Sequence, residues 1–540
     1  MADPFNCKVV VMVLVLFVAG GTVTGAQEGG AGEEKVKKEA GQRDEGESEL
    51  PEGLQDKSQE KAEDEPALPA GLGGASEDEK EGGEPALPAG LGGGKEEGGA
   101  EGGPALPEGL GGDEPEMTDG MDSEGEGEDE YGLFAVKDGG WDLTGFWEVR
   151  SGYRLQETEF AQDKSIGETR LQLEMQKVTD ELTFNVTTDL VYDWAANSQR
   201  VNLNEGNGFL DLREANVVGS PFEFMDVVAG RQILTWGTGD LLFLNDMFPK
   251  DWQSFFIGRD TEYLKAPSDA IKASVFTDLV NVDVVYTPQF DPDRFVTGDR
   301  LTYWTGRRIA GNNAIVDDDR PDNWFEDDEW AVRLKKNVQG YEIAGYGYWG
   351  YWKSPGGQNP FTGDATFPRL NVYGASVRGQ FAGGIGNAEV AYYDSKDDGD
   401  GDDAFVNNSQ MRYLLGYSQD LPTIAEDLTL DLQYYVEQTL DYGELRRNML
   451  PGTEPPEEWR EVVTVRLTKL FMNQTLTCSL FTYFSPSDRD AYMRPNVHYK
   501  VTDELAVEAG GNIFFGDYEH TFFGQFEDNT NLYGAVRYNF

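Results

Sequence analysis

The stretch from Leu234 to Asp260 contains side chains that could narrow a water-filled passage and place charged groups along it. It reads LTWGTGDLLFLNDMFPKDWQSFFIGRD and mixes large apolar residues with carboxylates and basic groups. Large apolar patches are unusual on a loop surrounded by water, so we expect the segment to fold back and pack on the inner wall of a barrel. The alternatives are an external aromatic loop that binds a surface partner and an additional edge strand. The predicted constriction residues are Arg231, Trp236, Asp240, Asp246, Lys250, Asp251, Arg259 and Lys265.

Basic residues also recur at the polar positions of segments in which apolar and polar residues alternate. If these positions line a channel, their charge selects what passes. Arg231, Arg259 and Lys265 would then form an anion-favouring constriction beside the infolded segment. The alternative is that arginines and carboxylates pair across the wall and only stiffen it. The predicted lumen residues are Arg150, Arg154, Arg170, Arg333, Arg466 and Arg537.

An acidic loop offers a second kind of chemistry. Residues 397–403 read DDGDGDD, which places Asp398, Asp400 and Asp402 at alternate positions between glycines. Carboxylates spaced in this way could wrap a hard cation with oxygen ligands. Because the loop lacks the distal glutamate of an EF-hand, calcium or magnesium bridging to lipopolysaccharide competes with ordinary solvation of the loop. We predict no other cofactor.

Catalytic motifs are missing from the sequence. The chain has 2 histidines, and neither G-x-S-x-G, H-E-x-x-H nor G-x-G-x-x-G occurs in a suitable context. His498 has no adjacent serine, so an outer-membrane hydrolase is the least favoured interpretation. There is no C-x-x-C-H site for haem, and a net charge of −55 argues against a nucleic-acid partner. We therefore predict that the protein is not an enzyme.

The elements that position these residues are predicted to be β-strands. From about residue 134 onward, runs of period-two alternation recur about 18 times, which is typical of strands that face lipid on one side and water on the other. The connections alternate between short turns and long loops, as in an outer-membrane barrel. The last run, NLYGAVRYNF, ends on Tyr538 and Phe540 and resembles the closing strand that carries the signal for barrel assembly.

The N-terminal quarter has a different composition. Residues 1–26 contain a short apolar run followed by small residues, as in a secretory signal peptide. Residues 27–133 are rich in Glu, Gly, Asp and Pro, which predicts disorder. Three copies of a PALPAGLGG-like unit recur there, either as a periplasmic tether or as docking motifs for a periplasmic partner. We therefore predict a signal peptide (1–26), a disordered segment (27–133) and a barrel (134–540).

The G-R-Q-x-x-x-W-G pattern from Gly230 to Gly237, together with the later Pro249 and the terminal Phe540, resembles the large-barrel porin families that include alginate-export-type channels. The resemblance implies passive, diffusion-driven transport through the arginine-bearing lumen of an all-β transmembrane barrel in the bacterial outer membrane. The acidic N-terminal segment lies outside the resembling pattern, and we expect it in the periplasm. We expect passive diffusion of small, including anionic, solutes, and contacts with lipid, lipopolysaccharide and the barrel-assembly machinery. The alternative is a scaffold barrel that sheathes a secreted polymer or an electron-carrying cytochrome. The sequence leaves the oligomeric state open.

Overall fold

A computed structural model of the chain describes residues 140–451 and 453–540. The predicted signal peptide and acidic repeat segment lie outside these residues. The described chain contains β1 (Asp142–Arg154), β2 (Lys164–Val178), β3 (Leu182–Asp193), β4 (Leu210–Phe222), β5 (Met225–Ile233), β6 (Pro267–Val275), β7 (Asn281–Thr287), β8 (Tyr303–Trp304), β9 (Ile309–Ala310), β10 (Asp318–Asp319), β11 (Glu329–Val338), β12 (Tyr341–Tyr351), β13 (Gly357–Gln358), β14 (Ala365–Thr366), β15 (Arg369–Phe381), β16 (Gly384–Ser395), β17 (Gln410–Asp420), β18 (Leu428–Thr439), β19 (Trp459–Phe471), β20 (Leu476–Ser485), β21 (Asp490–Lys500), β22 (Leu505–Gly516) and β23 (Asn531–Asn539).

Eighteen of these strands form one closed antiparallel barrel, while β8 and β9 form a two-stranded sheet and β10, β14 and β13 form a three-stranded sheet within the loops. Each barrel strand pairs with the next along the chain, and β23 returns to pair with β1, placing Val536 opposite Val149. Each of the 18 predicted runs overlaps one barrel strand. The predicted all-β barrel is therefore confirmed, since closure leaves no unpaired sheet edge.

Alternation along the strands separates an apolar outer face from a polar inner face. In β1, Trp147 and Tyr153 point outward and are 52% and 54% exposed, whereas Glu148 and Arg150 point inward and are buried. This arrangement places aromatic and aliphatic side chains against lipid and charged groups in the lumen. The two faces follow directly from the period-two pattern of the sequence.

Short turns join the strands at one end of the barrel, and long connections join them at the other. Turns such as 179–181 and 339–340 contain two or three residues, whereas the connections 234–266 and 288–328 are far longer. The helices lie in these long connections: α1 (Trp252–Ile257), α2 (Tyr442–Asn448) and two 3-10 helices, Thr261–Leu264 and Gly524–Asn529. Among the described residues, no helix has the length and apolar character needed to cross a bilayer.

Candidate functional site

The connection between β5 and β6, residues 234–266, enters the barrel and is called the infolded loop below. The hydroxyl of Tyr393 on β16 donates to the carbonyl of Leu244 at 2.7 Å. Arg150 on β1 donates to the carbonyl of Gly258 at 3.0 Å. Because β16 and β1 lie on nearly opposite sides of the ring of strands, the infolded loop crosses the lumen.

Burial of aromatic side chains explains why this loop folds inward. Trp236 packs edge-on against Phe248, with ring centroids 4.9 Å apart. Phe255 and Phe256 of α1 are buried and contact the ring of Tyr492 on the barrel wall at 5.8 Å and 5.7 Å. Burying such side chains contributes about 1.5–3 kcal/mol each, so the loop is stabilised in the lumen rather than in water.

Capping residues fix both ends of α1. At its start, Asp251 accepts a hydrogen bond from the backbone N–H of Ser254 at 2.7 Å. At its end, Gly258 adopts a φ of 103°, a left-handed conformation that glycine reaches without strain. The carboxylate of Asp251 also lies 3.3 Å from Arg294. Asp251 is thus a structural residue of the infolded loop.

The first half of the loop is held to the wall by charged groups. Arg466 on β19 makes a bidentate pair with Asp240, at 2.6 Å and 2.9 Å. Glu389 on β16 accepts hydrogen bonds from Gly239 N–H at 2.9 Å and from the Asn245 amide at 2.7 Å. The Asp240 side chain is 36% exposed and that of Arg466 is 11% exposed, so this ion pair faces lumen water.

The second half of the loop meets a network at the seam where the barrel closes. Arg150 pairs with Glu148 at 2.8 Å and with Glu508 at 2.7 Å. Arg537 on β23 contacts Glu148 at 2.9 Å and Asp260 of the loop at 3.3 Å. The network therefore joins β1, β22, β23 and the infolded loop.

The structure brings together most of the predicted constriction and lumen residues, but mainly as ion pairs. Arg170 pairs with Glu168 and Asp189, and Arg259 pairs with Glu168 at 3.0 Å. The remaining contacts are Lys250 with Asp246 at 3.1 Å, Arg333 with Asp283 at 2.7 Å and with the Trp236 ring at 5.2 Å, Arg154 with the carbonyls of Gln162 and Arg300, and the Lys265 carbonyl with Arg213 at 3.1 Å. These contacts favour the interpretation in which opposite charges pair across the wall.

The strand register places Arg231 on the outward row, and the prediction that it faces the lumen is wrong. Arg231 is in register with Ala215, which is in register with Val186. Residues opposite each other in antiparallel strands share a face, and this row faces lipid. Arg231 instead pairs with Asp269, which is also on the outer face, at 2.9 Å. Arg231 also donates to the carbonyls of Leu212 at 2.7 Å and Leu203 at 2.8 Å, so it links the end of β5 to β4 and to the connection before β4.

Several residues of the site were missed by sequence reasoning. Arg294, in the connection after β7, is buried and pairs with Asp211 and Asp251. Arg494 on β21 donates to the Phe255 carbonyl at 3.1 Å. Arg494 lies at an inward position of its strand, so its alternation pattern could have identified it. Arg294 lies in an irregular loop, where no such pattern exists.

The predicted cation-binding triad does not form. Among the described residues, no three His, Cys, Asp or Glu side chains converge in a way that could hold a metal ion. Asp398 is buried, whereas Asp400 and Asp402 are exposed. Asp402 contributes its backbone N–H, which donates to Asp398 at 2.9 Å. Turning of the loop about Asp398 separates the three carboxylates.

Comparisons with known proteins give structural matches only. No protein-family model matches the chain, and no curated protein matches it. Solved structures that it is similar to include Acinetobacter baumannii OccAB3 and OccAB4, with 12% and 10% identity and TM-scores of 0.42 and 0.45; each match covers 74% of this chain and 99% or 98% of the other. A mutant of Rh. blastica porin has 11% identity and a TM-score of 0.33, with 74% and 100% covered. The barrel assignment rests on the strand pairing of this chain itself.

Proposed function

We propose that this protein is an outer-membrane porin through which small solutes diffuse passively. The observation that carries the proposal is the combination of a closed barrel with an apolar outside, a charged inside and a loop folded across the lumen. A barrel of 18 strands is wide enough to hold a water-filled passage. The infolded loop narrows this passage and sets the size of solute that passes.

Charge selection in this channel depends on the groups that reach lumen water. Most of the predicted arginines are paired with carboxylates, so their fields largely cancel at short range. Asp240, Glu262 and Arg537 have side chains 36%, 42% and 21% exposed. We infer that carboxylates and arginines both face the solute path, and that the anion preference expected from the sequence is weak.

Two expectations from the sequence stay proposals. The likeness to alginate-export-type channels depends on the stretch from Gly230 to Gly237, which here forms the end of β5 and the entry into the infolded loop. Docking of the PALPAGLGG-like units to a periplasmic partner concerns residues outside the described chain. A barrel that sheathes a large partner would need a free lumen, which the infolded loop occupies.

Planar-bilayer recording of the purified mature protein tests the porin function. We expect stable ohmic steps and a reversal potential close to zero across a potassium chloride gradient. A correctly folded barrel that gives no conductance would overturn the proposal and would indicate a plugged or structural barrel.

A further inference from the structure

The connection between β16 and β17, residues 396–409, contains a buried carboxylate that forms no ion pair with a basic side chain of residues 140–451 or 453–540. Asp398 is 4% exposed. Its Oδ1 atom accepts hydrogen bonds from the backbone N–H groups of Asp402 at 2.9 Å and Asp403 at 3.3 Å. Its Oδ2 atom is buried and has no hydrogen-bond partner in the described part of the chain. The carboxylates of Asp403 and Asp402 add negative charge close to Asp398.

Two further buried oxygen atoms without hydrogen-bond partners belong to the two ends of this connection. The Oγ atom of Ser395 and the Oδ1 atom of Asn408 are buried, and within the described residues neither accepts or donates a hydrogen bond. Tyr393 lies opposite Gln410 in the β16–β17 ladder, so the same register directs Ser395 towards Asn408. The backbone N–H of Ser395 confirms this proximity by donating to the hydroxyl of Ser409 at 3.1 Å.

Gly401 lies in the chain between Asp398 and Asp402 and contacts the side-chain amide of Asn408. A Cβ atom at Gly401 would lie 2.4 Å from Nδ2 of Asn408, so Asn408 packs directly on this glycine. The next residue, Asp402, donates its backbone N–H to Asp398. The amide nitrogen of Asn408 is already used, since it donates to the Leu440 carbonyl at 3.0 Å. The oxygen of Asn408 has no hydrogen-bond partner in the described chain, so it remains available to a ligand.

A buried ionised carboxylate without a counter-charge is costly, and a cation would remove this cost. Calcium accepts six to eight oxygen ligands, including carboxylates, amide carbonyls and water, at about 2.3–2.6 Å in flexible geometry. We propose that this loop binds one calcium ion through Asp398, Asn408 and Ser395, with water completing the shell. Asp402 and Asp403 attract the ion from solution by their charge. This site differs from the alternating triad expected from the sequence, because it uses one carboxylate and neutral oxygens.

Calcium binding to the full mature protein tests this site. The protein is purified in detergent without lipopolysaccharide, stripped with EDTA and titrated with calcium chloride in equilibrium dialysis at 0.1 M potassium chloride. We expect one saturable site with an affinity in the range of about 10⁻⁴–10⁻³ M, as in extracellular calcium modules. Asp398→Asn should weaken it at least tenfold. The matched control Asp400→Asn, at an exposed position of the same loop, should leave it unchanged.

Thermal unfolding provides a second measurement that does not depend on surface binding. Calcium should raise the Tm of the native protein and of Asp400→Asn, but not that of Asp398→Asn. Magnesium should raise it less, because it requires stricter octahedral geometry. The absence of saturable binding, or equal binding and equal Tm shifts in native protein and Asp398→Asn, would overturn the proposal.

Discussion

Asp240 and Arg466 form an ion pair that joins the infolded loop to β19 and faces lumen water. At short range the two charges cancel. Removing one of the two charges leaves the other without compensation. Asp240→Asn should shift the reversal potential towards anion preference, and Arg466→Gln should shift it towards cation preference. Two unit charges 4 Å apart in water interact by about 1 kcal/mol, so the permeability ratio should change by at most about fivefold. The measurement is the reversal potential across a salt gradient.

The control for this pair is Arg231→Gln. Arg231 lies on the outward row and pairs with Asp269, so its loss should leave the reversal potential unchanged. A shift for Arg231→Gln as large as that for Arg466→Gln would contradict the assignment of faces. The double variant Asp240→Asn with Arg466→Gln should return close to native selectivity.

Protonation of Asp398 should compete with calcium in the external loop. Burial, together with the nearby carboxylates of Asp403 and Asp402, raises the pKa of Asp398 above its usual range. Asp398 is therefore protonated at a higher pH than an ordinary aspartate. Calcium binds the ionised carboxylate, so protonation competes with it. We expect calcium affinity to fall with decreasing pH, and the fall to begin at a higher pH than for an ordinary aspartate. Titrations at several pH values test this, and a constant affinity would argue against Asp398 as a ligand.

At the scale of elements, the infolded loop is expected to limit conductance. Deleting residues 240–256 removes the part that contacts both walls, including all of α1 except Ile257. Single-channel conductance should increase, because the narrowest part of the passage is gone. Deleting residues 454–457 in an exposed external connection serves as the control and should leave conductance unchanged. If the loop deletion also has no effect on a folded barrel, the constriction lies elsewhere.

The contact between the infolded loop and β15 is close enough to be broken by one methyl group. A Cβ atom at Gly374 would lie 1.7 Å from Oδ1 of Asn245, whose amide nitrogen anchors the loop to Glu389. Gly374→Ala should therefore displace Asn245 at a cost of about 1–3 kcal/mol, as in overpacked cores. We expect a lower Tm and noisier open-channel current.

Gly345→Ala is the matched control for this contact. Gly345 is also in a barrel strand, but no other atom lies within 4 Å of the position its Cβ would take. It should behave like the native protein in both measurements. Similar noise in the two variants would show that the Asn245 anchor does not hold the loop.

At the scale of the whole molecule, closure of the barrel depends on the last strand. Phe540 exchanges two backbone hydrogen bonds with Gly145, each 3.0 Å long. If Phe540 also carries the assembly signal, Phe540→Ala should reduce the folded fraction in outer membranes severalfold while its backbone pairing persists. Heat-modifiable migration on gels measures this fraction. Asn539→Ala is the control, and equal yields for the two variants would refute the role of Phe540.

The sequence alone determined the number of strands, their approximate bounds and the end at which the long connections lie. It could do so because alternation and turn residues are local signals, set within a few positions of the chain. It also predicted that residues 234–260 are buried, since exposing so many apolar side chains to water is unfavourable in free energy. Arg150, Arg170 and Arg537 take inward positions of their strands for the same local reason.

Tertiary structure alone decided which charges neutralise each other. Glu389 and Thr238 are 151 positions apart in the sequence, and no local pattern relates them. The face of Arg231 was missed because its charge suggested the lumen, whereas its register with Ala215 places it outside. Asp398 is buried whereas Asp400 is exposed, because the backbone N–H groups of Asp402 and Asp403 donate to the carboxylate of Asp398 and not to that of Asp400. Pairing and burial depend on distant segments meeting, which the fold specifies and the local sequence does not.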